Sequence, residues 1–428
     1  TRGRKELFQV LESVKANIHI IGVDSDLFFS PSENRETFKQ LAQANANVTY
    51  GEIRSKHGHD AFLIEFEQLE KLLSGIFSSE KKSSGIKVLK FGGKSLANGE
   101  GFSNTLNIIE QKFKNDEHIA IVVSARGNAT DDLEEILYRA AQNKEYTHLF
   151  EAFKHYQQHG FDIDFSSEFN QLEKLFEGVR LLGDYSPKIK DQVLAFGELL
   201  SAKLVTSLLR KRGLPANLAD ARQFIVTDAN FGNAQPFEGL SRDNLLRYFE
   251  KYPNDTVHII TGFIGATKNN ETTTLGRNGS NYTAALIANF LDAEEFQNYT
   301  HVDGIFTADP SLVKNAKRIH QISYDEANEL ANFGANILHA KTIIPLIEKN
   351  IPLRILNTFN PNGEGTLITA SSSNGGIKSL SVLDEVALLH LEGRGLLGKT
   401  GVDARIFGCL GRAGVSVSII SQGSSERG

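Results

Sequence analysis

Methionine and tryptophan are absent from all 428 residues, and cysteine occurs once, at Cys409. One thiol cannot build an internal disulfide framework, so the simplest setting is a reducing one, the cytoplasm. The lack of methionine even at residue 1 leaves two readings: an interior segment of a longer chain, or a chain whose modified methionines are not written out. No apolar run approaches the roughly 18 residues of a membrane span, and the first residues lack the layout of a signal peptide. Excess positive charge is missing too. Lys and Arg number 46 against 52 Asp and Glu, a net charge of −6 with no long basic run, which argues against nucleic acid or an anionic membrane as the main partner. No Cys/His cluster has metal-ligand spacing, so no metal held by protein side chains alone is expected.

What is present is ordinary for a globular protein, with 40% hydrophobic and 23% charged residues. The length suits two to three domains of about 150 residues. Residues 18 to 77 alternate strand and helix: IHIIGVD is an apolar run, 32 to 44 is helix-like, VTYGEI is a second strand, and 60 to 77 carries apolar residues at helical spacing. SSEKKSSG, 78 to 85, reads as a linker. A second α/β region starts at Ile86, with strands expected at 118 to 125, 256 to 265 and 351 to 357, and a mostly helical pattern from 131 to 209. SSSNGG, 371 to 376, marks another boundary. The last fifty or so residues predict a strand over 382 to 391, a helix near 401 to 412 and a strand over 415 to 420, one βαβ unit of a small sheet.

FGGKS, 91 to 95, looks like the tail of a P-loop, but a Walker A loop needs its first glycine at position 88, and Val88 stands there inside an apolar strand. A strand ending in Lys90 and a Gly92-Gly93 turn before a helix near 101 to 113 still aims backbone N–H groups at an anion. Two further stretches put glycines and polar groups at the ends of apolar segments, VLAFGELLSA (193 to 202) and TTTLGRNGSNYTAA (272 to 285). The latter leads into an apolar helix over 282 to 290, whose N-terminus suits an anion. Arg277 can clamp a carboxylate or phosphate bidentately, and Glu198 can meet an ammonium. For any one piece a turn with a solvated charge is an even competitor; for all three together it is not.

VLKFGGKSLAN, VVSARGNATD, FGELLSA, TTTLGRNGSNYTAA, THVDGIFTADP, ELANFGANILHAKT and ILNTFNP, in this order, resemble aspartate kinase of the amino-acid-kinase family over residues 86 to 370. The chain from 377 to 428, with GRGLLGKTGVDARIFGCLGRAGVSVSIISQGSS, resembles the first part of an ACT regulatory region. The resemblance implies an α/β fold, a largely parallel sheet between helices with the ACT unit after it. It also implies transfer of the γ-phosphoryl group of MgATP to the β-carboxylate of L-aspartate. That nucleophile is already an anion, so the chemistry needs positioning and charge neutralisation rather than a general base.

By the same resemblance, Lys90 with Gly92 and Gly93 holds the transferring phosphate. Ser124 and Thr130 are aspartate-side hydroxyls, Glu198 takes the substrate amine, and Arg277 takes its α-carboxylate with Ser280 beside it. Thr300, Phe306 and Asp309 match the nucleotide side. Several positions depart from the family pattern: Lys94 replaces a threonine, Asn281 and His301 replace aspartates, and Asn336 replaces a lysine. One reading is compensation, the lysine lost at 336 reappearing at 94 beside the same phosphates while two carboxylates are lost. The other is a silent module that keeps ligand shape and regulates or scaffolds fused enzymes.

GVDSDLFFSP (22 to 31) and SKHGHDAFL (55 to 63) place Asp26 and His59 at the ends of two successive strands. The stretch 1 to 77 resembles the C-terminal end of homoserine O-acetyltransferase, an α/β-hydrolase whose last two triad members these would be. No Gly-x-Ser-x-Gly occurs, so this segment brings no nucleophile of its own. The arrangement gives the expectation of a slice of a multifunctional fusion. In the ACT-like tail, Lys399, Thr400 and Gly401 precede a helix where an effector carboxylate could dock, threonine or lysine by family precedent, with assembly into a dimer or tetramer.

Overall fold

The computed structural model describes residues 18–44, 47–77, 85–253, 255–332, 340–371, 376–382, 386–392, 400–415, 417, 419–421 and 426–427. The chain divides into two compact units, Thr1–Lys82 and Ser83–Gly428.

In the first unit, strands β1 (Ile18–Val23) and β2 (Val48–Ile53) pair in parallel, from Ile18 opposite Val48 to Val23 opposite Ile53. Helix α1 (Pro31–Ala44) connects them. Its start is fixed locally: Ser30 Oγ accepts the Glu33 N–H at 3.4 Å and donates to the Glu33 carboxylate at 2.9 Å, with proline in the first helical position. The helical pattern expected over 60 to 77 is divided into a 3-10 turn (Gly58–Leu63) and helix α2 (Phe66–Phe77). Val23, Ile53 and Ala61 form the small core.

The second unit is built on an eight-stranded sheet in the order β11-β13-β12-β10-β3-β4-β7-β5. Its strands are β3 (Ile86–Phe91), β4 (His118–Val123), β5 (Ala216–Ala219), β7 (Val257–Thr261), β10 (Glu295–Thr300), β11 (Gln321–Ser323), β12 (Leu353–Asn357) and β13 (Thr366–Thr369). Every pairing is parallel except β12 with β13. A parallel sheet must be covered on both faces, and the strand sequences show it, since successive residues feed two different cores. Leu89, Phe91, Ile121, Val123 and Ile259 pack on one face with helices α3 (Glu100–Lys114), α4 (Ala129–Ala141), α5 (Thr147–Gln158), α6 (Ser166–Leu182) and α7 (Pro187–Lys211). Val88, Ala120, Val122 and Ile260 pack on the other with α8 (Glu238–Phe249), α9 (Gly279–Phe290), α10 (Tyr324–Asn332) and α11 (Ala340–Ile347). Helix α7 is long and apolar enough to cross a membrane by length and composition, yet 72% of that window is buried in this core.

The run 256 to 265, expected as one strand, is two. After β7 the chain turns at Gly262 and Phe263 (φ 66°) into β8 (Ile264–Thr267), which joins β6 (Val226–Thr227) and β9 (Thr272–Thr274) in a separate three-stranded sheet. Glycine at 262 is required by a close approach, because a Cβ there would lie 2.6 Å from Ser280 at the start of α9.

The C-terminal segment departs most from expectation. Helix α12 (Val402–Arg412) forms where the pattern placed it. The strand expected over 382 to 391 is confined, among the described residues, to β14 (Leu391–Glu392), paired antiparallel with β15 (Glu426–Arg427). None of the described residues of 415 to 420 is strand. The apolar residues there are exposed, Val386, Leu388, Val415 and Ile419 among them, so no second face covers them. A strand without a buried face gains little from pairing.

Candidate active site

The C-terminal ends of β3 and β4, the middle of α7 and the β9–α9 connection meet around one cavity of about 830 Å³, the location expected for ligands in a parallel α/β sheet. Lys90, Gly93, Ser124, Thr130, Glu198, Arg277, Ser280 and Asn281 all line it. These residues lie up to 191 positions apart in the chain, Lys90 to Asn281. The glycine turn is tight for a steric reason: a Cβ on Gly93 would sit 2.9 Å from the carbonyl oxygens of both Ala125 and Gly127. Gly127 N–H donates to Gly93 O at 3.0 Å, so the β3 and β4 loops are tied directly together.

Lys90 is buried, and its ammonium makes no hydrogen bond or ion pair among the described residues. Burial pushes its ammonium down to about 8 against the opposing pull of Glu198. Glu198 is buried as well. Its Oε1 accepts the Ala125 N–H at 3.0 Å, while its Oε2 has no partner. Burial raises its carboxyl to about 8, opposed by the Ala125 N–H and the Lys90 charge. Asn281 Oδ1 is a second buried oxygen without a partner at the same wall. The cavity thus presents a cation without an anion, the exposed Arg277 guanidinium, and two oxygens that accept nothing. Orphaned buried acceptors are expensive unless a ligand satisfies them, so the lining fits a guest carrying an ammonium, a carboxylate and phosphate oxygens.

Asp191 is missing from the sequence reading. Its carboxylate accepts from Gly232 N (2.9 Å), Thr274 N (2.8 Å) and Thr274 Oγ1 (2.9 Å), fixing the end of β9 that leads to Arg277. A signal was available: Pro187, Lys190, Asp191, Leu194 and Glu198 repeat at helical spacing and form the cavity-facing stripe of α7. Arg126, also unread, is fully buried without a carboxylate. It donates to Leu96 O (3.2 Å), Gln157 O (3.1 Å) and the Asn98 side chain, and faces the rings of Phe102, Tyr156 and Phe161 at 5.2 to 5.3 Å.

Other expected site residues lie elsewhere. Lys94 and His301 line a neighbouring cavity of about 720 Å³ that shares only Gly127 and Asn128 with the first. Lys94 thus lines a different cavity from Lys90, within a turn that runs from Gly93 to Leu96. Thr300 accepts the Val302 N–H at 3.3 Å, Asp309 caps a turn through Ser311 N at 2.8 Å, and Phe306 O accepts from Ser379; none of the three lines either cavity. Asn336 and Lys399 fall outside the described residues. Thr400 and Gly401 precede α12, which buries none of its residues. Among the described residues no three His, Cys, Asp or Glu side chains could hold a metal ion together.

In the first unit, Asp26 and His59 are in contact, His59 Nδ1 donating to Asp26 Oδ2 at 2.9 Å. The hydrogen bond from His59, helped by the N–H groups of Phe28 and Phe29, holds the Asp26 carboxyl below its ordinary range against partial burial.

The amino acid kinase family model matches residues 85–357, and an ACT domain model matches residues 389–428. A bifunctional aspartokinase/homoserine dehydrogenase of Haemophilus influenzae is 34% identical over 359 residues, covering 80% of this chain and 44% of that protein. The lysine-sensitive aspartokinase 3 of Escherichia coli is 32% identical over 350 residues, covering 79% of this chain and 76% of that protein. The crystal structure of E. coli aspartokinase III in complex with aspartate and ADP matches at a TM-score of 0.67 and 29% identity, over 80% of this chain and 77% of that one. The chain spans less than half the length of the bifunctional relatives it matches, 44% for the one from H. influenzae. The chain belongs to the amino acid kinase family, within its aspartokinase branch.

Proposed function

We propose that this chain phosphorylates the β-carboxylate of L-aspartate with ATP, giving 4-phospho-L-aspartate. The observation that carries the reading is the convergence of Lys90, Glu198 and Arg277 on one cavity with their binding capacity unused. In this reading the substrate ammonium satisfies Glu198 Oε2, Arg277 takes the α-carboxylate, and Ser124, Thr130 and Ser280 complete the aspartate side. Lys90 and the Gly93 N–H neutralise the charge on the transferring phosphoryl oxygens, while the Gly92 N–H donates to Tyr299 O at 3.4 Å. A carboxylate oxygen forms the new P–O bond as the bond to the ADP oxygen breaks, and no proton has to move. Mg²⁺ bound to the phosphates supplies further charge neutralisation, and Asn281 Oδ1 is the free oxygen in the lining that fits it.

Domain assignments follow the same reading: kinase over 86 to 370, a linker at 78 to 85, a partial ACT region over 377 to 428 with threonine or lysine as effector, and assembly into a dimer or tetramer. Segment 1 to 77 is proposed as the terminal part of a homoserine O-acetyltransferase-like domain, supported by the Asp26–His59 pair and awaiting a serine from elsewhere. A cytoplasmic setting suits the lone exposed Cys409.

The second reading, a silent regulatory or scaffolding module, is favoured by the departures from the family pattern at Asn281, His301 and Asn336. Trapping aspartyl phosphate as the hydroxamate separates the two. The kinase reading expects product from the native chain, with Asn281→Asp and Asn336→Lys changing the rate little. Product only after those substitutions would establish the silent module.

A further inference from the structure

We propose that Lys94 and His301 form a proton-linked clamp for a polyphosphate chain at the seam between β3 and β10. Strands β3 and β10 are adjacent and parallel, Phe91 opposite Tyr299, so the loops that follow them leave the sheet at the same edge. Lys94 lies three residues past Phe91 and His301 two past Tyr299, and the two side chains meet with Nζ 3.3 Å from Nε2. An ammonium can only donate, so Nε2 is the acceptor and the ring proton sits on Nδ1; the histidine in this contact is neutral.

Two groups that can each carry positive charge touch each other, and neither has a carboxylate partner among the described residues. The titratable groups sharing their cavity are Asp132 and Glu135 on α4 and Tyr156 on α5. Asp303, two residues beyond His301, is engaged by the Asn357 and Asn360 amides at 3.0 Å each. The cavity shares Gly127 and Asn128 with the one that holds Lys90, so a phosphate chain leaving Lys90 past Gly93 arrives at this pair.

A phosphate oxygen changes the protonation balance. It accepts from Lys94 in place of the imidazole, and the freed Nε2 takes up a proton and becomes a second donor to the same anion. Without the anion, partial burial and the Lys94 charge hold the imidazole below its ordinary range. With the anion those effects are opposed, so binding takes up a proton in the interval between the two states. Affinity is then greatest at low pH and falls as pH rises through the liganded value, by at most about tenfold per pH unit for one linked proton. This inference rests on the kinase reading for the identity of the anion as a nucleotide di- or triphosphate, whereas its chemistry requires only the phosphate chain.

The test is calorimetric titration of the whole chain between pH 6 and 8 with MgADP and, separately, with inorganic tripolyphosphate, each in two buffers of different ionisation heat. Proton uptake is expected with both ligands. His301→Gln should abolish the uptake that titrates in the histidine range and flatten the pH dependence of affinity. Lys94→Thr should weaken tripolyphosphate binding several-fold, and Lys94→Arg should restore it. Lys90 also titrates near this range, so the uptake assigned to the clamp is the part lost in His301→Gln. MgADP binding with no uptake, or uptake unchanged in His301→Gln, overturns the clamp and leaves the kinase reading intact. Tripolyphosphate binding with uptake, but no binding of MgADP, supports the clamp and overturns the kinase reading. Failure of both ligands to bind overturns both.

Discussion

Helices α9 and α12 have nearly the same length, twelve and eleven residues, and each begins after a residue in the left-handed region, Asn278 at φ 59° and Gly401 at φ 81°. Their sequences both invited the same reading, an anion docked at a helix N-terminus. The surroundings differ completely. Every residue of α9 except Tyr282 is buried, and its first turn opens on a cavity to which β3 contributes Lys90 and α7 contributes Glu198. No residue of α12 is buried. A helix N-terminus becomes a credible site when unrelated parts of the chain bring complementary groups to it, and by itself it indicates little.

Variants can break this contrast. The largest effect is expected from Lys90→Ala, which removes the buried cation from the phosphoryl path. Hydroxamate formation should drop by about 10²–10³-fold, the range for losing one preorganised charge-stabilising donor, with the melting temperature unchanged or raised because an unpaired buried charge is gone. Leu286→Ala, in the fully buried middle of α9, should cost about 2–5 kcal/mol in urea denaturation through the cavity it leaves. Glu198→Gln should raise the aspartate KM by roughly 10- to 100-fold, corresponding to a charge-assisted hydrogen bond of about 1.5–3 kcal/mol, and leave ADP affinity unchanged.

The same glutamate sets a pH dependence. Its carboxyl is held up to about 8 in the empty cavity, and only the ionised form receives the substrate ammonium. Aspartate affinity should therefore rise with pH between 6 and 8 and bind with proton release, a dependence that Glu198→Gln loses. For the protein without ligand the sign is opposite: a raised carboxyl stabilises the fold fully below its unfolded value, near 4.5, and that stability declines as pH rises through 8. The smallest effect is expected from Phe407→Ser on the partly exposed α12, within about 0.5 kcal/mol. A larger loss there would mean that α12 is packed against something, and the contrast with α9 would weaken.

Much of the kinase fold was legible because parallel strands buried on both faces leave apolar runs, such as IAIVV over 119 to 123, and because glycine turns punctuate them. The break at Gly262 and Phe263 was not, since it depends on how closely Ser280 approaches from a distant helix. The convergence of Lys90, Glu198 and Arg277 could be expected from the family resemblance, and position alone suggests it only for Lys90 at a strand end and Arg277 before a helix, because Glu198 lies in the middle of α7. The orientation of Lys94 could not, because a single residue past a glycine turn decides which of two cavities a side chain enters, and spacing carries no such information. Asp191 escaped because its work is done by accepting two backbone N–H groups, a role with no motif. In the tail, periodicity located α12, while among the described residues its flanking strands are shorter than the pattern suggests and their apolar residues are exposed.

A structure of the chain with aspartate and ADP tests the central claim most directly. The account predicts one aspartate in the larger cavity, its ammonium within hydrogen-bond distance of Glu198 Oε2, its α-carboxylate on Arg277, and its β-carboxylate turned toward Lys90 and the terminal phosphate of the nucleotide. Aspartate bound away from Glu198, or an ordered nucleotide whose phosphates avoid Lys90 and the Gly92-Gly93 turn, would contradict it.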